Sequence, residues 1–110
     1  LDSHDTAYKD HYGGDMVKRD SAYHQGTVWS WLLGPYIDAL MLHMEKEVAV
    51  TKSKMCIQNI AYHLKESCIG TVSEIFDATS PHTPRGCVAQ AWGVAEILRV
   101  IKKYNIDAQL

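Results

Sequence analysis

Two carboxylates and an aromatic residue sit together in Ser73-Glu74-Ile75-Phe76-Asp77, in a segment that Gly70 opens and that Pro81 and Pro84 close. Arg85 follows, and a helical pattern resumes just beyond it. Carboxylates at the mouth of a helix pair, beside a cation and aromatics, suit acid/base chemistry on a neutral polar substrate. Glu74 is a candidate general base; without a function it reads as a helix-capping or solvated loop acid. Asp77 can bind a substrate hydroxyl, orient Arg85 or close an Asx-turn. Arg85 can pair with either acid and hold it ionised, or stand as a surface residue at a helix start.

A second segment, Tyr23-His24-Gln25-Gly26-Thr27-Val28-Trp29-Ser30-Trp31, has the same polar and aromatic character and also leads into an apolar helix. The imidazole of His24 and the amide of Gln25 suit paired hydrogen bonds to vicinal hydroxyls, or a loop-to-helix cap. Trp29, Trp31 and Trp92 can lie against the apolar faces of sugar rings or fill a core. Trp29 is the one expected to face a cleft. Function is expected where the two segments meet.

The elements that must position these groups read as helices. Trp29, Leu32, Leu33, Tyr36, Ile37, Leu40, Met41, Met44 and Val48 follow the three/four spacing of one helix face, which predicts a helix from Trp29 or Pro35 to Val50. Pro35 predicts a new start or a bend. A second helix is expected from Ser53 to Glu66, capped by Ser53 or Thr51, with Cys56, Ile57, Ile60, Ala61 and Leu64 as its stripe and His63 turned away. A third runs from Gly86 or Cys87 to Tyr104, its face marked by Val88, Ala91, Trp92, Ala95, Leu98, Ile101 and Lys102, with Asn105 ending it. Residues 1–27 read as irregular, with a turn at Gly13-Gly14-Asp15. Residues 67–85 form the other long loop, in which Thr71 to Phe76 can hold a short turn or strand. No β-hairpin signal appears. Both long loops precede helices, and an array of helical hairpins sends both to the same end.

Composition narrows the class. The 110 residues are enough for one domain or a piece of a larger one. The formal charge of −2, with no Lys/Arg block, gives a nucleic-acid backbone nothing to bind. The longest apolar run, Val28 to Met44, is broken by Ser30, Gly34, Pro35, Asp38 and His43 and falls short of the roughly 20 residues a membrane helix needs. The first residues, Leu-Asp-Ser-His-Asp-Thr, suggest a fragment, a processed chain or a trimmed one. Cys56, Cys68 and Cys87 are odd in number and lack Cys-x-x-Cys spacing, which reads as reduced thiols in a cytoplasmic protein. The six histidines are scattered, none four residues from another, so no metal site is expected.

The run from Tyr23 to Pro35 resembles a signature segment of the amylo-α-1,6-glucosidase part of glycogen debranching enzymes. So do Gly70 to Asp77 and Pro84 to Glu96, and the resemblance extends from Asp5 to Arg99. It implies an all-α fold: residues 1–110 as a C-terminal fragment of an (α/α)6 toroid, with about three long helices and long loops at one end. It implies hydrolysis of α-1,6-linked glucose, with inversion and no cofactor, on an α-glucan such as glycogen or its limit dextrin. In such chemistry one carboxylic acid protonates the leaving oxygen, and a carboxylate roughly 6.5–9.5 Å away activates water. Glu74 matches the base; the acid would lie upstream. The alternative is a catalytically silent helical module. Either way, helices cut from a ring leave apolar stripes uncovered, which predicts self-association. Two positions depart from the family pattern. Ser30 stands where Pro is usual, which is expected to alter the helix start without touching the chemistry. Ala78 stands where Gly is common, so the turn after Asp77, and with it the positioning of Glu74, is expected to differ.

Overall fold

The computed structural model describes residues 1–106, a mostly helical chain with one small sheet. In order, the elements are α1 (Met16–Ala22), β1 (Val28–Trp29), a 3-10 turn at Ser30–Leu32, α2 (Leu33–His43), α3 (Lys46–His63), β2 (Ile75–Phe76), β3 (Pro84–Arg85) and α4 (Ala91–Tyr104). Among the described residues no helix is long and apolar enough to cross a membrane.

The leading segment is less irregular than expected. Gly14, with φ of 87°, turns the chain, and the Asp15 side chain then accepts from the Lys18 amide at 2.9 Å, capping α1. The all-α expectation also needs correcting. β2 lies between β1 and β3, antiparallel to both, with Val28 opposite Phe76, Trp29 opposite Ile75, Ile75 opposite Arg85 and Phe76 opposite Pro84. Each strand has two residues, too few for any period to show in sequence.

The long helix expected to end at Val50 is broken at Met44, which is extended, and Glu45, which is non-helical, and α3 begins at Lys46. The new helix start expected at Pro35 falls two residues earlier, at Leu33. Pro35 is the third residue of α2, where a missing N–H has no carbonyl to lose. Thr51 and Ser53 lie inside α3 rather than capping it. Their hydroxyls donate to the carbonyls of Glu47 at 2.9 Å and Ala49 at 2.7 Å.

The core joins α2, α3 and α4. Ile37, Ile57, Val100 and Ile106 are buried together, with Leu33, Met41, Ile101 and Tyr104 packed around them. Asn105 ends α4 in the left-handed conformation, and its amide and that of Ile106 both return to the Ile101 carbonyl. The face of α4 differs from the expected one. Gly93, Ile97 and Val100 point inward, whereas Val88, Trp92 and Leu98 are each about half exposed. A polar clamp fastens α4 to α2. Arg99 forks onto both Asp38 oxygens at 2.7 and 3.3 Å and onto Glu96, and Lys103 and the Tyr104 hydroxyl also reach Asp38. Hydrogen bonds from Arg99, then Tyr104 and Lys103, hold the Asp38 carboxyl well below the usual range against its partial burial.

Candidate active site

The sheet brings the two polar segments together. β1 belongs to the Tyr23–Trp31 run and β2 to the Ser73–Asp77 run. Beyond the two-residue ladder, Ser30 donates its amide and its hydroxyl to the Glu74 carbonyl oxygen, both at 3.1 Å. Position 30 therefore bonds to the backbone of the candidate base, not to its carboxylate. The Glu74 amide donates to the Cys87 carbonyl at 2.9 Å, so its backbone is held from both sides.

The Glu74 carboxylate is fixed by two neutral donors. Oε2 accepts from the Cys87 amide and Oε1 from the Gln90 side chain, each at 3.1 Å. Gly86, with φ of 67°, makes the turn that aims the Cys87 amide at this oxygen. The carboxylate opens onto a cavity of about 450 Å³ lined by Tyr12, Gly13, Arg19, Arg85, Gly86 and Cys87. Glu74 is the one carboxylate lining it among the described residues.

Asp77 is buried behind the site and fully engaged. Oδ1 accepts from the Tyr12 amide at 2.9 Å, and Oδ2 faces His11 Nδ1 at 3.0 Å and Arg85 Nε at 3.1 Å and Nη2 at 3.0 Å. Burial pushes its pKa up, but the Tyr12 amide, Arg85 and His11 outweigh that and hold the carboxyl below its ordinary value. Arg85 is thus committed to Asp77, and forms no ion pair with Glu74.

An extended strap at residues 9–12 stitches the two segments. The Lys9 amide donates to the Gln25 carbonyl at 3.1 Å, and the Ala78 amide donates to the Asp10 carbonyl at 2.8 Å. Gly26 permits this: a Cβ there would run into the Lys9 carbonyl and the Tyr8 ring. Ala78 fits its turn without a positive φ.

His24 and Trp29 lie apart from the carboxylate cavity. Their rings stack 5.0 Å apart and within 3° of parallel, and they line a separate hollow of about 570 Å³ with Thr27, Val28, Leu32 and Tyr36. Gln25 joins the strap through its backbone. Tyr23 links the two places. Its ring lies 4.7 Å from Trp29 and 5.5 Å from Tyr12, and its carbonyl accepts from Trp29 Nε1 and the Thr27 hydroxyl. Burial, and then the neighbouring Glu74 carboxylate, push the Tyr23 hydroxyl up from its ordinary pKa. Trp31 and Trp92 stack on each other at 4.6 Å, and neither lines the two hollows just described.

Sequence reasoning missed Tyr12, Arg19, Tyr23 and Gln90 as neighbours of Glu74. Gln90 had a signal, standing inside a motif run; Tyr12 and Arg19 had none, because only the strap and α1 bring them to the cavity. A family model described as Amylo-alpha-1,6-glucosidase matches residues 1–99, the same family the two segments resemble. No curated protein and no solved structure matches the chain.

Proposed function

The chain belongs to the amylo-alpha-1,6-glucosidase family, and we propose that it supplies Glu74 as the general base of an inverting glycoside hydrolase acting on α-1,6-linked glucose. The reading rests on one observation above the rest: the Glu74 carboxylate is oriented by two neutral donors at the rim of an open cavity. There it takes a proton from a water molecule. The water oxygen bonds to the anomeric carbon as the glycosidic C–O bond breaks, and an acid on the opposite face protonates the departing oxygen. Asp77 does not serve as that acid, because its partners keep it ionised and a general acid must begin protonated. The acid comes from residues outside this chain.

The substrate is an α-glucan such as glycogen or limit dextrin, and the setting is cytoplasmic. Arg85, oriented by Asp77, and the stacked His24–Trp29 pair with Gln25 form the polar and flat surfaces on which glucose units rest. The segment completes an (α/α)6 toroid. Cut from the ring, it self-associates through the half-exposed apolar residues Trp92 and Leu98 of α4 and Val88 just before it.

The test is Glu74→Gln in a glucosidase domain that includes this segment. Glucose release from limit dextrin falls at least about 100-fold, while oligosaccharide affinity holds. Retained turnover rules Glu74 out as the base. The 110-residue chain alone releases no glucose at a useful rate; turnover there, abolished by the same substitution, would mean the acid is already present.

A further inference from the structure

His63 was expected to turn away from its helix stripe, yet it is only 4% exposed. Its Nε2 accepts the Ser73 amide at 3.1 Å, and its Nδ1 faces Glu66 Oε2 at 3.2 Å. The Phe76 ring meets it edge-on, 4.8 Å between centroids. A backbone N–H can only donate, so Nε2 carries the lone pair and the single ring proton sits on Nδ1, directed at Glu66. Ser73 is itself 1% exposed, and its hydroxyl has no hydrogen-bond partner. The His63 ring is therefore the side-chain anchor of the residue joined directly to Glu74.

We propose that neutral His63 is a positioning residue for Glu74. Through the Ser73 amide it sets the backbone from which the Glu74 carboxylate is presented, and adding a proton to Nε2 releases that backbone. The proposal takes Glu74 to be the base, as argued above. An imidazolium bears N–H on both nitrogens, so Nε2–H would confront Ser73 N–H with no acceptor between them. The groups facing the ring come from three places. Glu66 follows the end of α3 and is the charged one. His82, from the β2–β3 loop, lines the same hollow of about 390 Å³ as His63, Glu66, Asn59 and Tyr62, and its Nδ1 lies 3.2 Å from the Asp77 carbonyl. Phe76, from β2, is uncharged.

Nuclear magnetic resonance on the whole chain tests this without any sugar. The wild-type ring nitrogens should report the Nδ1–H tautomer at neutral pH. Exchange of the Ser73 and Glu74 amides should rise together, by about tenfold or more, as the ring gains its second proton. His63→Gln, which keeps an acceptor near Nε2 but does not titrate, should remove that step. His63→Phe should exchange fast at both positions throughout. An Nε2–H tautomer overturns the proposal, as does a Ser73 amide indifferent to ring titration and to His63→Phe. Loss of Ser73 protection with the Glu74–Cys87 bond intact also overturns it, by separating anchor from base. These readouts are independent of glucan turnover, so they fail separately from the assignment of the base.

Discussion

Ser30 gives both of its donors, amide and hydroxyl, to one acceptor, the carbonyl oxygen of Glu74. The two bonds run from the 3-10 turn before α2 to the residue placed at the cavity rim. Together with the Cys87 pairing they leave the Glu74 backbone little freedom. A Pro at position 30 would offer neither donor.

Ser30→Ala should remove the hydroxyl bond alone and cost about 1 kcal/mol. Ser30→Pro should remove both and cost about 2 kcal/mol or more, with faster amide exchange at Glu74. Urea unfolding of the two variants checks the order. Equal stability would mean that the bonds contribute nothing.

The Asp77–Arg85 pair should appear in the pH dependence of stability. Asp77 has a folded pKa below its unfolded value of about 3.9. Its contribution is therefore fully present above about pH 4 and is lost as the pH falls through the folded value. Asp77→Asn should lower stability at neutral pH by about 2–3 kcal/mol, because Arg85 and the Tyr12 amide lose a charged partner. It should also flatten the acid limb of the melting-temperature profile below pH 4. An unchanged limb would show that Asp77 is not linked to folding.

Gly86→Ala should disturb Glu74 by a different route. The new side chain meets a left-handed backbone, at about 1–2 kcal/mol, and its Cβ lies 3.1 Å from Ile75 Cγ1 and also against Glu74 Oε2. The Cys87 amide bond to Glu74 should loosen, visible as faster exchange at Cys87. A crystal structure of the variant with that bond unaltered would contradict this.

The exposed side of α4 makes a prediction about size. Trp92 and Leu98 there, and Val88 just before the helix, are about half exposed, and light scattering should show concentration-dependent association that Trp92→Glu with Leu98→Glu reduces. A monomer persisting at high concentration would count against an uncovered interface.

The residues alone carried the family, through two long motif runs. They also carried the turn before α1, Asn105 as the stop of α4, and the meeting of the two polar segments. Packing decided the rest. The sequence of α4 is apolar on two sides, and only packing selects Gly93, Ile97 and Val100 as the buried one, Gly93 against Ser30 and Val72 and Val100 against Ile37 and Ile57. Nothing local breaks the chain at Met44–Glu45, where neither Gly nor Pro stands. His63 and Ser73 are ten residues apart, and Ser30 and Glu74 forty-four; hydrogen bonds across such separations leave no periodic trace. Which polar group meets which is settled when buried donors must find acceptors inside the fold.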